Sequence, residues 1–161
     1  MNTQAKIREF QASDKEAVVQ AMVELQNFER TIEPLRLPGE EMAEAYIDKL
    51  LKDLQSNSGK IFIAERDSQL AGFIAVLRTN GHVDSELNVP IAAAYITDLV
   101  VLPRFRKQGV GIQLMQEVEK YAASLGVNVM EIEVLRENAP AYALYHKAGY
   151  IDYSVVLRKR L

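Results

Sequence analysis

The run from Asp98 to Gly111 constrains this chain more than any other stretch of it. Leu99, Val100 and Val101 end an apolar segment, and Pro103 opens a basic loop carrying Arg104, Arg106 and Lys107. Gly109 and Gly111 then lead into Leu114, Met115, Val118, Tyr121, Ala122 and Leu125, a stripe at helical spacing. A strand must therefore pass through a tight basic turn straight into a long amphipathic helix. Glycine lets the backbone come close to a ligand, and a helix start offers unpaired N–H groups beside a partial positive charge. Both features favour an anion, phosphate or pyrophosphate above all.

Ile7 to Phe10 alternates as a first strand, and Ala12-Ser13-Asp14 offers a cap for a helix carrying Ala17, Val18, Ala21, Met22, Leu25 and Phe28. Pro34, Pro38 and Gly39 interrupt it. Glu40, Glu41 and Glu44 open a second helix, whose apolar face holds Met42, Tyr46, Leu50, Leu51 and Leu54. Ile61 to Ala64 and Leu70 to Leu77 form a predicted hairpin, with Gly72 allowing close packing in its second arm. Residues 80–90 are a polar loop, and Ala93 to Leu102 is the next strand. After the long helix, stopped by Gly126, come a strand from Val127 to Leu135, an Asn138-capped helix ending at Gly149, and a last strand from Tyr150 to Leu157.

The chain has 161 residues, 48% hydrophobic and 25% charged, which suits one globular domain over 1–161. Nineteen basic residues against 22 acidic ones leave a charge of −3, so no basic field exists for nucleic acid. No apolar stretch approaches the roughly 20 residues of a membrane span, and the start lacks the pattern of a signal peptide. The expected location is the cytoplasm. With no Cys, disulfides, thiolate metal sites and a cysteine nucleophile are excluded, and no His, Asp and Glu cluster has ligand spacing, so no metal is expected.

Two familiar phosphate loops fail on spacing. A P-loop needs Lys-Ser or Lys-Thr after its last glycine, where Ile112-Gln113 stands. A dinucleotide fingerprint needs a small residue three places beyond Gly111, where Leu114 stands. By themselves, the glycines are better explained as the corners of a turn with a solvated basic flank.

Arg106-x-x-Gly109-x-Gly111, preceded by Leu99-Val100-Val101 and Pro103, resembles the acetyl-CoA-binding motif of the GNAT superfamily of N-acetyltransferases. Downstream, Glu133-Val134, Asn138, Ala141, Leu144-Tyr145 and Gly149-Tyr150 resemble that family's strand, Asn-capped helix and closing Gly-aromatic pair. The resemblance covers almost the whole chain. It implies a single mixed α/β domain, a mostly antiparallel twisted sheet of about six to seven strands flanked by about four helices, in the order β-α-α-β-β-β-α-β-α-β.

It also implies a reaction: acetyl-CoA as co-substrate, with direct transfer of the acetyl group to a primary amine of a small molecule or polypeptide. The pyrophosphate would lie over Arg106, Lys107, Gln108, Gly109, Val110, Gly111 and Ile112. Backbone groups of Leu99, Val100 and Val101 would meet the pantetheine arm, and Asn138 would contact the cofactor as well as cap its helix. Tyr145 would protonate the departing sulfur; otherwise it is a core aromatic. Glu133 and Asp98 both match positions where branches of the family place a general base, and each is equally explained as a surface or capping carboxylate. Thr97 stands where some members carry Glu, and strand alternation sets it on the opposite face from Asp98.

His82 is a base or substrate contact or, as a lone loop histidine more often is, simply solvated; His146 reads as outward-facing, and Arg158-Lys159-Arg160 as a tail that discourages edge pairing. Glu29, Glu33, Glu40, Glu41, Asp84 and Glu86 would rim the acceptor pocket and suit a cationic amine. Helix-dipole compensation explains Glu40 and Glu41 equally well. Homodimers are common in the family, though nothing in the sequence itself points to one. The rival functions are a non-catalytic acyl-CoA-binding module and a nucleotide-binding protein using the same turn.

Overall fold

The computed structural model describes residues 4–81, 89, 91–159 and 161. The expected roles of His82, Asp84 and Glu86 lie outside the described residues. The elements are β1 (Lys6–Glu9), α1 (Lys15–Ile32), α2 (Gly39–Ser56), β2 (Lys60–Arg66), β3 (Gln69–Thr79), β4 (Ala93–Val101), α3 (Val110–Ser124), β5 (Val129–Ile132) and α4 (Ala139–Lys147). Short 3-10 turns cover Ala12–Asp14 and Pro103–Phe105.

The strands form one sheet in the order β1-β2-β3-β4-β5, antiparallel except for the β4–β5 pair. Alternation sorts its side chains into two cores. Ile61, Ile63, Phe73 and Ala75 face α1 and α2, where Val18, Ala21, Met22, Ala43, Ile47, Leu50 and Leu54 are buried. Phe62, Ala64, Ile74 and Val76 face α3, which contributes Val110, Leu114, Met115, Val118 and Ala122. β3 is covered on both faces, which explains its near-continuous apolar run. Each fully buried Ile or Leu contributes about 1.5–3 kcal/mol through water exclusion.

The β2–β3 turn needs only Asp67 and Ser68, both left-handed (φ 51° and 58°), whose twist matches that of the strands. At the β1 edge of the sheet, Arg8 clamps β1 to its neighbours. Its guanidinium donates to Asp14 at 2.7 and 2.8 Å and to Glu65 at 3.0 Å. Asp14 also accepts the Gln11 N–H, so the residue read as a helix cap turns back toward the strand instead. α2 receives its cap from α1: Asn27 Oδ1 accepts the Gly39 N–H at 2.8 Å.

Two expectations are corrected. Strand alternation along β4 is broken at Thr97. Asp98 pairs with Ala75 while Ile96 pairs with Val76, which leaves Thr97 as an extra, bulged residue. Ile96 consequently packs on the α3 side, whereas Val100 packs on the α1–α2 side. The second correction concerns the end of the chain. Tyr150 to Leu157 forms no strand, residues 151–159 are exposed, and the described sheet has five strands rather than six to seven. Asp152 is drawn to α4 by Tyr142 and His146, and Arg158 reaches Glu33 at the end of α1, which holds the segment away from β5.

Candidate active site

β4 and β5 stay paired only from Ala93 with Val129 to Ile96 with Ile132. β4 continues to Val101 against β3, so beyond Ile96 its other edge meets no strand among the described residues. The main-chain groups of β4 that point away from β3 meet no strand there, although Arg106 takes the carbonyl of Val101. The gap leads to the start of α3. Lys107 and Gly109 there are both left-handed, at φ 58° and 83°. The first turn bond of α3 runs from the Gln113 N–H to the Gly109 carbonyl at 3.1 Å, so the N–H groups of Val110, Gly111 and Ile112 precede it.

Gly111 is buried where three elements meet. A Cβ on it would lie 2.9 Å from Leu144 Cδ2 on α4 and 3.7 Å from Val101 Cγ2 on β4. The two sequence motifs thus touch through this glycine. Asn138, also buried, accepts the Ala141 N–H at 3.3 Å and sets the start of α4 as expected. Side chains in the turn are less uniform. Arg106 Nε donates to the Val101 carbonyl at 2.9 Å, and its guanidinium lies 5.8 Å from the Phe28 ring, so it braces the end of β4. Gln108 receives Arg66 and donates to the Arg104 carbonyl at 2.8 Å. Exposed Lys107 and the N–H groups of Val110, Gly111 and Ile112 are the donors here that could hold an anion, and a pyrophosphate would suit them.

The bulge at Thr97 sends Asp98 toward α2. There the Tyr46 hydroxyl donates to its two carboxylate oxygens, at 3.1 Å to Oδ1 and 2.9 Å to Oδ2. Burial pushes the Asp98 carboxyl up to about 6, against the Thr97 and Tyr46 hydroxyls that hold it down, with the charge of Glu29 adding to the rise. Glu29 is itself raised by burial, opposed by Arg36 at 3.0 Å. Tyr145, buried on α4, is held well above the ordinary phenol range, first by burial and then by the charges of Glu29 and by Tyr150 and Asp98. Asp98, Glu29, Tyr46 and Tyr145 therefore form one electrostatic group beside the parting strands.

Glu133 adjoins this group through Tyr95, which also feels the charge of Asp98 and in turn acts on Tyr46. It is exposed and accepts the Tyr95 hydroxyl, which burial and this carboxylate push up to about 12. Of the remaining rim acids, Glu33 binds Arg158, Glu40 accepts from Asn27 at 3.0 Å, and Glu41 is exposed. His146 faces outward, as its position after Tyr145 suggests, with Nε2 3.1 Å from Asp152.

The model of the acetyltransferase (GNAT) family matches residues 19–150. This chain belongs to that family. Among curated relatives, an aminoglycoside N(6')-acetyltransferase type 1 of Acinetobacter genomosp. 13 is 26% identical over 110 residues, covering 66% of this chain and 73% of that protein. An uncharacterized N-acetyltransferase of Archaeoglobus fulgidus is 33% identical over 92 residues, 57% of this chain and 60% of its own length. Among solved structures, a protein of Pyrococcus furiosus proposed to be an acetyl transferase is 25% identical. It superposes with a TM-score of 0.74 over 98% of this chain and all of its own. Among the described residues of this acetyltransferase, no helix is long and apolar enough to cross a membrane.

Sequence reasoning placed Tyr46 on the buried face of α2 without a role. Its signal was its chemistry: a phenol in a stripe of aliphatic residues must find a partner for its hydroxyl when buried. The partner itself, 52 positions away, is visible only in the fold.

Proposed function

We propose that this protein transfers the acetyl group of acetyl-CoA directly to a primary amine, with Asp98 as general base and Tyr145 as general acid. The observation that carries this reading is the buried Asp98 beside the point where β4 leaves β5, with Tyr145 close enough to feel its charge. Bound acetyl-CoA supplies an activated thioester. The N–H groups of Val110, Gly111 and Ile112, with Lys107, hold its pyrophosphate. The N–H groups of Leu99 and Val101, which alternate away from β3, steady the developing oxyanion.

Asp98, ionised above pH 6, takes a proton from the acceptor ammonium and leaves the amine free to attack. Tyr145 keeps its proton through the whole neutral range and gives it to the leaving sulfur, and the proton that the newly acetylated nitrogen sheds returns the phenolate to phenol. The acceptor is a cationic amine. Glu29 and Asp98 supply negative potential at this site, and a 26% identical relative carries an aminoglycoside, an amine-bearing class, in its name.

The test is calorimetric titration with acetyl-CoA, followed by release of free CoA across a panel of di- and polyamines. Binding with amine-dependent release supports the reading. Binding without release from any amine points to an acyl-CoA-binding module. Absence of binding by the folded protein removes the acetyltransferase reading altogether.

A further inference from the structure

Glu29, in the last turn of α1, and Glu33, just past its end, are each answered by an arginine from elsewhere in the chain. Arg36 of the following loop meets Glu29 at 3.0 Å, and Arg158 binds Glu33. These pairs border an open cavity of about 450 Å³, lined by Glu33, Leu35, Arg36, Leu135 and Arg158. That volume suits the body of a small molecule. Its loop wall is braced against α1: buried Gln26 donates to the Leu37 carbonyl at 2.9 Å, and Arg30 Nε to the Arg36 carbonyl at 2.8 Å. Leu35 is nonetheless 75% exposed, an apolar side chain set at a cavity by a fixed loop and left in water.

The cavity adjoins the reacting groups. Arg36 lines it and holds Glu29, whose charge is felt by both Asp98 and Tyr145. With the reacting amine at Asp98, the rest of an acceptor extends past the Glu29–Arg36 pair toward Leu35 and Leu135. Among the described residues the charges of this wall cancel, Glu33 against Arg158 and Arg36 against Glu29. A second ammonium placed there would give up water and find both carboxylates already taken. An apolar body would instead cover the two leucines and gain by leaving water. Given the acetyltransferase reading, on which this inference rests, we propose that the acceptor is a small monoamine whose only charge is the reacting ammonium. Its apolar body fills the cavity, and Leu35 and Leu135 select for it over polyamines.

Steady-state release of CoA with propylamine, butylamine, pentylamine and hexylamine, and with hexamethylenediamine, tests this. The diamine keeps the length of hexylamine and adds a second ammonium. Along the monoamine series kcat/KM should climb about twofold or more per methylene, and hexamethylenediamine should fall about tenfold or more below hexylamine. Leu35→Asp changes an exposed side chain, so thermal stability and the KM for acetyl-CoA should stay at wild-type levels. It should raise the KM for hexylamine about tenfold and narrow the gap to the diamine. A flat series, a diamine used as well as or better than hexylamine, or a Leu35→Asp effect equal on both would each overturn the inference and leave the acetyltransferase reading standing. No release from any amine by the folded protein would remove both.

Discussion

The Tyr46 hydroxyl of α2 reaches across to β4 and donates to both carboxylate oxygens of Asp98. This contact exists because the bulge at Thr97 reverses the faces of β4 partway along its length. It places a carboxylate with a raised proton affinity between the first helices and Tyr145.

The activity and stability of this protein should move in opposite directions with pH. Its folded Asp98 titrates at about 6, above the ordinary 3.8, so the fold holds that proton more tightly than the unfolded chain does. The stabilisation is complete below pH 4 and is lost as pH rises through 6, a cost on the order of 3 kcal/mol. Activity instead needs the ionised form, so kcat/KM should rise through the same window. Asp98→Asn should flatten the stability profile and lower kcat about a hundredfold or more. Denaturant melts and rates collected from pH 4 to 8 test both limbs.

Tyr46→Phe should keep the fold and change the profile. The hydroxyl favours ionised Asp98, so its removal moves the acidic limb of kcat/KM upward by about one pH unit. Rates at pH 8 should recover to near the wild-type level. An unmoved limb with a uniformly lower rate would mean that Tyr46 acts only in packing.

Tyr145→Phe should leave acetyl-CoA binding and thermal stability close to wild type, because the ring keeps its place in the α3-side core. Its kcat should fall by about a hundredfold, the usual size of a general-acid contribution. The wild type should show no basic limb below pH 9 from this phenol, since burial raises it. Calorimetry and steady-state rates on the same preparation separate binding from chemistry.

Gly109→Ala should destabilise the protein by about 1–2 kcal/mol, because an L side chain is strained at φ 83°. Space is not the cause, since the nearest atom to a Cβ there, Gln113 Nε2, is 3.8 Å away. Acetyl-CoA affinity should fall in parallel as the first turn of α3 shifts. Thermal melts and calorimetry read the two effects.

Arg8→Met should cost about 1 kcal/mol, the scale of a partly exposed fork, and lower Tm by about 2–4 °C. Arg8 holds the Asp14 carboxyl below its ordinary value, so their mutual stabilisation is present above the unfolded pKa and disappears as pH falls. The difference in Tm between wild type and variant should therefore shrink toward pH 3.

Much of the site is local and was legible for that reason. The left-handed Gly109, the unpaired N–H groups at the start of α3 and the Asn138 cap depend on neighbours within a few residues. The β2–β3 hairpin and the apolar stripes of α1, α2 and α3 follow from periodicity alone. Arg106 illustrates the limit: its charge was legible, but its engagement with the Val101 carbonyl depends on where the end of β4 lies in space.

The sequence by itself determined the order of elements as far as α4, the tight glycine turn and the two faces of each helix, because those are set by spacing and backbone preference over short range. Only the tertiary structure decided which face Asp98 occupies. A bulge is a mismatch between two strands, and the Thr97 bulge exists only through the register of β4 against β3. Pairing also decided the fate of Tyr150 to Leu157. Its residues favour a strand, but a strand is completed by another strand's hydrogen bonds, and the anchors at Asp152 and Arg158 keep that segment from the edge of its own sheet.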